Sequence, residues 1–491
     1  MIQTSPSWKS LDSKNWVILF FLLLLIALFG GLHIMDLRGE EPRRALVAWE
    51  MIFNQSYWQP TIQNLPYYNK PPIFNWVVAV FFQIFGDANW VVRLPSVLAF
   101  LVMGLVHYRF TKQAVGPATA LWSMLFLFTA AHFLFFATVL SGELDLFYAL
   151  FVYLQAISIY HFYQRKQFLA LFLISYTLVA LGFLIKGLPS IAFQGLTLIG
   201  WAVYQKKWRW FFSWQHIVGG LFSLVLIGGY FQIYDQYYGN GWLYLSNLLE
   251  EATQKSAAEG RFGDILKQLI DFPLQFIIDH LPWSLLVFLY FKKENRVSLK
   301  QQPFLVFCLL FFVVNIWLYW ISPGSRNRYL YAFAPFFLTP LAYLYTQKPL
   351  LKWRTLWIII TVFVALRITY NYTVMSYQQK TMKNIQLYRS IAEDATNLSD
   401  GSPLFTCCQQ DTILVNPRIG PITMVQDTIY IPMYLPYQIP FYIQRARKEI
   451  LPFRQIPNQP GYYLSTDTLI GTPLRTYPVW DKKELHLFRV E

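Results

Sequence analysis

Long apolar runs constrain this chain more than any other feature of its sequence. A helix that crosses a membrane needs about 20 mainly apolar residues, and runs near or below that length follow one another from residue 16 to residue 370. They lie at 16–35, 96–110, 118–138, 146–163, 168–185, 188–204, 213–231, 282–291, 303–321, 329–346 and 355–370. Only 13% of the residues are charged, about half the share in soluble proteins. The sequence therefore predicts an all-α polytopic membrane protein with about 11 spans and at most about 13.

Basic clusters between the runs set the orientation. The net charge of +14 could indicate nucleic acid binding, but that interpretation needs a basic patch on a domain, so no nucleic acid partner is predicted and the partners are membrane lipids. Lys and Arg in short connections stay on the cytoplasmic side. They fall at every second connection, at 9–14, 109–112, 165–166, 206–209, 292–296 and 348–354. The other connections are therefore expected on the outer side, at 36–95, 141–145, 186–187, 232–281 and 322–328.

The apolar segment 71–86 fits this alternation only if it does not cross the membrane. We therefore expect interfacial helices in the first outer connection, with Trp76 and Trp90 among the interfacial aromatic side chains. A true second span is the alternative, and it would move the later basic connections to the outer side.

The composition changes after residue 370. Asn, Gln, Thr, Asp and Pro become frequent, and short alternating stretches at 428–434 and 485–490 indicate strands. The sequence therefore predicts two domains, a transmembrane domain at 1–370 and a small soluble α/β domain at 371–491 on the outer face.

Charged side chains gather in the outer connections, close to the ends of the spans. The acids are Glu40, Glu41, Glu143 and Asp145, and the cations are Arg43, Lys70, Lys186, Arg326 and Arg328. Charge at the end of a span is costly unless it is paired or functional, so the cations are candidates for binding an anion. Simpler roles stay open, because acids favour the first turn of a helix and a lysine can snorkel to lipid phosphates.

Several motifs occur in a fixed order along these connections. They are the pair Glu40-Glu41 with Arg43 two residues on, Tyr57-Trp58-Gln59-Pro60, Tyr67-Tyr68-Asn69-Lys70-Pro71-Pro72, Arg93-Leu94-Pro95-Ser96, Ser141-Gly142-Glu143-Leu144-Asp145, Gly182-Phe183-Leu184-Ile185-Lys186-Gly187 and the stretch 322–335. In this order they resemble the outer-loop motifs of the GT-C glycosyltransferases typified by lipid A aminoarabinose transferase and the protein O-mannosyltransferases. The resemblance extends from residue 16 to residue 346.

This resemblance implies a function and a location. The chain would transfer a sugar from a polyprenyl-phosphate carrier to a lipid, glycan or protein acceptor. Its active site and C-terminal domain would lie on the periplasmic side of a bacterial inner membrane. Together with the charge pattern, the resemblance assigns catalytic roles to Glu40, Glu41 and Asp145, donor-phosphate binding to Arg43, Lys70, Arg326, Arg328 and Tyr329, and substrate binding to Glu143, Lys186 and Lys255.

Three departures from the family pattern weaken parts of this assignment. Glu40 stands where the family commonly has Asp, and Asn69 stands where an acid commonly precedes the lysine. In the long outer connection the family often shows a His and an Arg, whereas this chain has Glu250, Glu251 and Lys255. The seven His residues show no H-x-x-x-H spacing, so no cofactor is predicted and a divalent metal stays an open alternative.

The residue types suit the implied chemistry. A polyprenyl phosphate leaves without protonation if cations offset its developing charge, and a hydroxyl acceptor needs a base, for which Glu40 is the first candidate. If the acceptor is itself a phosphate, no proton is removed and Glu40 would orient it. No pair of nucleophilic groups is evident, so a single displacement with inversion at the sugar carbon is predicted.

Two other functions stay open at this stage. A transporter or flippase of lipid-linked saccharides would also have many spans, but it should carry ionisable groups at mid-membrane depth. Here the charges gather at the ends of the runs. A non-catalytic subunit that binds sugar or lipid through the C-terminal domain is the second alternative.

Overall fold

The chain is mostly helical. The structure is a computed structural model that describes residues 11–136, 139–256, 262–295, 297–322, 325–407, 423–425, 428–430, 435–454, 457–466, 471–480 and 483–491. The α-helices are α1 (Leu11–Phe29), α2 (Glu41–Phe53), α3 (Ile73–Phe85), α4 (Leu94–Ala114), α5 (Pro117–Thr129), α6 (Ala131–Phe135), α7 (Leu144–Gln164), α8 (Phe168–Lys186), α9 (Pro189–Gln205), α10 (Trp214–Tyr238), α11 (Gly241–Ser256), α12 (Phe262–Asp279), α13 (Leu285–Phe291), α14 (Pro303–Trp320), α15 (Ala334–Gln347), α16 (Trp353–Tyr370), α17 (Ser376–Thr381), α18 (Lys383–Ser399) and α19 (Gln438–Arg447).

Shorter helical turns and strands complete the described chain. The turns are the 3-10 helices Val91–Arg93, Trp208–Phe212, Lys293–Asn295 and Asn327–Phe333 and the π-helical turn Asn371–Met375. The strands are β1 (Thr61–Ile62), β2 (Leu65–Pro66), β3 (Leu404–Cys407), β4 (Thr423–Val425), β5 (Thr428–Tyr430), β6 (Phe453–Arg454), β7 (Gly461–Ser465), β8 (Arg475–Trp480) and β9 (Lys483–Val490).

Seven of the described helical segments are long and apolar enough to cross a membrane. They are Val91–Ala114, Pro117–Phe135, Leu144–Gln164, Phe168–Lys186, Trp214–Tyr238, Pro303–Trp320 and Trp353–Thr381. This confirms the predicted helical membrane protein in its coarse form. The remaining apolar runs coincide with α1, α9, α13 and α15, of which α13 has only 7 residues and α15 has 14. The number of spans stays a prediction.

Helix α3 is short for a span. It has 13 residues, and at 1.5 Å per residue it is roughly 20 Å long, whereas the hydrocarbon core of a bilayer is about 30 Å thick. Its length therefore agrees with the expected interfacial helix at 71–86.

The chain divides into two compact units. The first contains the described parts of Met1–Ile34, Ser96–Ile227 and Thr253–Met375. Its helices pack in pairs, α7 with α8, α5 with α15, α1 with α16 and α9 with α14. The interior of this unit is rich in aromatic side chains such as Phe311 and Phe336, whose ring centres are 4.1 Å apart.

The second unit contains Met35–Pro95, Gly228–Ala252 and the described parts of Ser376–Glu491. Here α2 packs on α3 and on α19, and α18 packs on α19. The first outer connection and the C-terminal segment therefore share one core, although about 300 residues separate them along the chain.

The C-terminal segment carries a mixed five-stranded sheet with the order β6-β3-β7-β9-β8. β3 pairs in parallel with β6 and β7, whereas β9 pairs antiparallel with β7 and β8. β5 lies in the first stretch predicted to be a strand and β9 covers the second, while residues 431–434 lie outside the described residues. The segment thus contains both helices and strands, as expected.

Candidate active site

Two consecutive antiparallel helices of the first unit bring an acid and a lysine together. Only residues 165–167 connect α7 to α8, and the helices pack along each other, so the end of α8 returns to the start of α7. Asp145 lies in the first turn of α7 and Lys186 is the last residue of α8. The helix dipole favours a carboxylate at the start of a helix, as at Asp145, and a cation at its end, as at Lys186. The Lys186 Nζ atom lies 2.5 Å from Asp145 Oδ1, and both side chains are nearly buried.

The 3-10 helix Asn327–Phe333 adds a second cation to this pair. Arg328 places Nη1 2.6 Å from Glu143 Oε2 and Nε 3.1 Å from Asp145 Oδ2. The next residue, Tyr329, presents its ring to Lys186, whose Nζ atom lies 3.9 Å from the ring centre. Five residues that the sequence assigned to the site therefore lie together. We call Glu143, Asp145, Lys186, Arg328 and Tyr329 the first cluster.

The charges of the first cluster balance, since two carboxylates face two cations. Arg328 joins both carboxylates through two different nitrogens, a geometry that a guanidinium provides and an ammonium does not. A phosphate that binds here has to displace a carboxylate from a cation. The cluster can therefore hold an anion only with a rearrangement of its ion pairs.

A second group of charges lies at the start of α2 in the second unit. Gly39 has a φ of +58°, a conformation that glycine adopts without strain, and the helix begins two residues later. The Oε2 atom of Glu40 lies 2.9 Å from Arg43 Nη1 and 3.6 Å from Arg44 Nη2. The Glu40 side chain is 33% exposed and that of Arg43 is 12% exposed, so solvent or a ligand can reach this ion pair. We call Glu40, Arg43 and Arg44 the second cluster.

Tyrosines surround the two arginines. Arg44 is buried and donates a hydrogen bond of 3.1 Å to the Tyr67 hydroxyl, while the guanidinium carbon of Arg43 lies 4.7 Å from the ring centre of Tyr437. Burial disfavours the charged form of Arg43, but its interactions with these tyrosines and with Glu40 outweigh burial and hold the pKa of Arg43 above its usual value. Arg43 therefore stays a cation.

Glu41 forms its ion pair with a different arginine from its neighbour Glu40. Its carboxylate is buried and accepts two hydrogen bonds from Arg93, at 2.8 Å from Nε and 2.9 Å from Nη2. Arg93 also donates to the carbonyl oxygens of Met35 and Asp36. Such a bidentate buried pair fixes the two ends of the first outer connection together.

Lys70 follows a buried tyrosine pair and precedes Pro71-Pro72. The Tyr244 hydroxyl donates a hydrogen bond of 2.5 Å to the Lys70 carbonyl oxygen, and the ring centre of Tyr244 lies 5.2 Å from that of Tyr68. The backbone of Lys70 is thereby held in place, and its side chain is half-buried.

Two other predicted residues are less defined. Arg326 precedes the 3-10 helix Asn327–Phe333 and is exposed. Lys255 lies in the last turn of α11, and its side chain lies outside the described residues.

Glu50, near the end of α2, was not predicted. It is fully buried, and its carboxylate accepts hydrogen bonds from Thr61 Oγ1 at 2.8 Å, from the backbone N–H groups of Gln63 and Asn64 at 2.6 and 3.1 Å, and from Gln444 Nε2 at 2.9 Å. Burial raises the pKa of Glu50, and the hydrogen bonds oppose that shift. Glu50 thus joins α2, the β1–β2 turn and α19.

Residues of two kinds were not predicted from the sequence. Arg44 and Arg93 were visible as cations on the outer side, and Arg93 lies inside a motif, but neither was given a role. Glu50, His132 and Asp279 carried no signal, because a single polar residue among apolar ones does not reveal its partner. Among the described residues, no group of three or more His, Cys, Asp or Glu side chains is arranged to hold a metal ion.

Comparison with known proteins supports the resemblance inferred from the motifs. A family described as dolichyl-phosphate-mannose-protein mannosyltransferase matches residues 69–230. An undecaprenyl phosphate-alpha-4-amino-4-deoxy-L-arabinose arabinosyl transferase of Edwardsiella ictaluri (strain 93-146) is 25% identical over 214 residues, which are 43% of this chain and 38% of that protein. A protein of the same name from Pseudomonas aeruginosa (strain LESB58) is 27% identical over 198 residues, 38% of this chain and 35% of that protein. The matched part thus spans less than two fifths of the length of these relatives.

Two solved structures share the fold over nearly the whole chain. The crystal structure of ArnT from Cupriavidus metallidurans bound to undecaprenyl phosphate superposes with a TM-score of 0.70 at 17% identity and covers 97% of this chain and 98% of that one. Its apo state gives a TM-score of 0.67 at 16% identity with the same coverage. The fold is therefore that of ArnT, and the family match together with the relatives confirms the predicted resemblance to GT-C glycosyltransferases.

Proposed function

We propose that this protein is a membrane glycosyltransferase that takes a sugar from a polyprenyl-phosphate carrier and transfers it to a lipid, glycan or protein acceptor on the outer face of a bacterial inner membrane. The observation that carries the proposal is the first cluster. Two cations, two carboxylates and a tyrosine ring stand at the ends of apolar helices, where unpaired charge is costly and paired charge is usually functional. The fold shared with ArnT and the activity named for the relatives support the same reaction.

Each cluster has a role in the proposed reaction. Arg328 and Arg326 of the first unit offset the charge that develops on the departing phosphate, and Tyr329 assists them. The family motifs assign the same donor-phosphate role to Arg43 and Lys70 of the second unit. Glu40 is the base for a hydroxyl acceptor, since its carboxylate is accessible and is oriented by Arg43. Asp145 and Glu143 orient the cations. Glu41 holds the first outer connection through Arg93.

The second unit supports the proposed orientation. The second unit contains 35–95, 228–252 and the described parts of 376–491, and none of the candidate spans in the described chain lies wholly within it, so we place these segments on the same side of the membrane. The basic connections are expected on the cytoplasmic side, which assigns the segment 35–95 to the outer side. The C-terminal segment then lies on the outer side too.

Sugar transfer by purified protein tests the proposal. Wild type in lipid nanodiscs would be given polyprenyl-phosphate sugars and a phosphate or hydroxyl acceptor, and released carrier phosphate would be measured. Removal of a general base lowers rates by about 10²–10⁴-fold, so Glu40→Gln is expected to fall in that range and Lys70→Ala to lose donor affinity. The matched controls are Glu393→Gln and Lys300→Ala, both at exposed positions. Unchanged turnover in Glu40→Gln and Lys70→Ala together would remove the site assignment.

A carrier that moves across vesicles without losing its sugar would instead identify a flippase. The same nanodisc preparation, transferred to vesicles with labelled donor, separates the two functions. Transfer predicts release of carrier phosphate that depends on the acceptor, whereas flipping requires no acceptor.

A further inference from the structure

A buried polar group in the first unit is not used by the reaction as proposed. It consists of His132 in α6, Asp279 at the end of α12 and Tyr331 in the 3-10 helix Asn327–Phe333. All three side chains are nearly inaccessible, with exposures of 2%, 0% and 1%. His132 Nδ1 lies 3.2 Å from Asp279 Oδ2, and Gln275 Nε2 donates a 2.7 Å hydrogen bond to Asp279 Oδ1. The ring centre of His132 lies 4.4 Å from that of Tyr331.

The backbone around this group is tied together independently. The Ala131 N–H donates to the Leu281 carbonyl oxygen at 2.8 Å, and the Trp283 indole N–H donates to Thr129 Oγ1 at 3.0 Å. The α5–α6 corner is thus joined to the α12–α13 corner. His132 and Asp279 are therefore placed by the main chain on both sides and face one another at a fixed distance.

A buried carboxylate destabilises a protein unless a partner compensates its charge. His132 is the basic side chain within ion-pair distance of Asp279 in the described chain. The neighbouring His280 does not serve in that way, because burial lowers its pKa to about 4 and its Nδ1 atom is engaged with the Phe276 carbonyl oxygen. Loss of either member of the His132–Asp279 pair leaves the other without this contact.

The 3-10 helix Asn327–Phe333 depends on contacts of this kind. It has seven residues, whereas 3-10 helices longer than about 3–4 residues are uncommon because their hydrogen bonds are poorly oriented. Residues i and i+3 of such a helix lie on the same side, so Tyr331 shares a side with Arg328. The helix packs against α7, which carries Asp145, and against α12, which carries Asp279.

We propose that His132, Asp279 and Tyr331 are positioning residues, in which the His132–Asp279 pair fixes the Tyr331 ring and that ring fixes the 3-10 helix so that Arg328 reaches Glu143 and Asp145. The ring makes these contacts by packing, on His132 and on Phe133 at 5.1 Å. The Tyr331 hydroxyl has no hydrogen-bond partner among the described residues. The activity tests of this inference rest on the proposed function, whereas the exchange test below does not.

Combining the His132 and Arg328 variants distinguishes a positioning role of His132 from a general effect on stability, because a positioning role makes their effects on kcat/KM non-additive. His132→Gln is expected to lower kcat/KM for the donor by about tenfold, in the range of measured couplings between contacting residues. The double variant His132→Gln with Asp279→Asn replaces both members of the pair and is expected to recover to within about threefold of wild type. In an Arg328→Gln background, His132→Gln should cause no further loss, because its effect acts through Arg328.

A matched control comes from another buried histidine of the same unit. His107 bonds to the Tyr153 and Ser123 hydroxyls and does not belong to the group described above. The fold-losses in kcat/KM caused by His107→Gln and by Arg328→Gln are expected to multiply in the double variant, as they do for independent sites. If the fold-losses of His132→Gln and Arg328→Gln multiply in the same way, the positioning role is overturned.

Two Tyr331 variants test the role of the ring. Tyr331→Phe keeps the ring and is expected to retain activity within about threefold, whereas Tyr331→Leu loses the packing and is expected to resemble His132→Gln. An equal, large loss in both would assign the function to the hydroxyl and overturn the inference.

Hydrogen exchange gives a result that needs no reaction. Exchange at residues 326–333 should become faster in His132→Gln and stay near the wild-type rate in His107→Gln. This measurement holds even if no sugar transfer is found, so failure of the proposed function and failure of this inference are distinguishable. Exchange at 326–333 that is unchanged in His132→Gln would overturn the proposal by itself.

Discussion

Arg328 shows how much one side chain determines in the first cluster. Two of its nitrogens contact two different carboxylates, and a lysine supplies a single point charge that cannot bridge both. We expect Arg328→Lys to lower the transfer rate by about tenfold or more, although the net charge is unchanged. Initial rates at saturating donor measure this effect. Arg354→Lys, at an exposed position, is the control, and equal rates for the two variants would contradict the bridging role.

Glu50 makes a prediction about pH. Because burial raises its pKa in the folded protein, the folded state binds a proton more tightly than the unfolded state. The stability that this proton contributes is fully present below the unfolded pKa of 4.5 and is lost as the pH rises through the raised folded value. The thermal unfolding temperature of the wild type, measured in detergent, should therefore fall as the pH rises through this range.

The variant Glu50→Gln removes this titration and should flatten the pH dependence. Its amide group meets backbone donors where the carboxylate accepted hydrogen bonds, so near pH 5 the variant is expected to be less stable by roughly 1–3 kcal/mol. Glu393→Gln, at an exposed residue, should keep the wild-type slope. A wild-type slope in Glu50→Gln would show that another group titrates.

Site residues could be predicted where they broke a known sequence rule or lay within a motif, and could not be predicted where they were isolated polar residues. Arg328 and Lys186 could be predicted because cations on the outer side break the charge rule for loops, and Asp145 because it stands at a helix start within a motif. Asp279 and His132 could not be predicted, since each is a single polar residue whose partner comes from a distant helix. Glu50 is of the same kind, because its partner Gln444 is 394 positions away.

At the scale of elements, hydropathy predicted where apolar helices occur better than how long they are. The run 282–291 contains only the seven-residue α13. The run 329–346 begins in a 3-10 helix and continues into α15, which carries Pro335 in its first turn and Pro340 inside. Hydropathy does not indicate where proline or the backbone conformation starts a helix, so the ends of these elements could not be predicted.

Helix α3 carries the topology prediction. With 13 residues it is too short to cross the bilayer core, so the chain should return to the side from which it came. In a cysteine-free background, Asn54→Cys and Ala88→Cys flank α3, and both should react with an impermeant maleimide from the same side. Gln113→Cys lies in the last turn of the helix Val91–Ala114, at the end far from α3, and should react only from the opposite side.

Labelling of Asn54→Cys and Ala88→Cys from opposite sides would make α3 a true span. The later basic connections would then lie on the outer side, and the orientation would have to be reversed. Permeabilised cells provide the control that each cysteine can react at all.

At the scale of the whole molecule, the second unit makes the C-terminal segment part of the structure that holds the second cluster. Gln444 donates to Glu50, the Phe453 N–H donates to the Gln63 carbonyl oxygen, and Gln379 bonds to Asp36. These contacts all reach the first outer connection from beyond residue 375. A separate domain that only recognises an acceptor would not need them.

Deletion of residues 376–491 is therefore expected to loosen the first outer connection, in addition to any effect on the acceptor. Arg43 loses the Tyr437 ring, and Glu50 keeps three of its four described hydrogen bonds, so trypsin should cut after Arg43 or Arg44 faster than in the full chain. Mass spectrometry of limited digests measures this rate, and cleavage at Lys206 and Lys207 in the first unit serves as the internal control. Equal protection of 35–95 in both proteins would mean that this segment folds without the C-terminal residues, and loss of activity on deletion would then reflect acceptor binding alone.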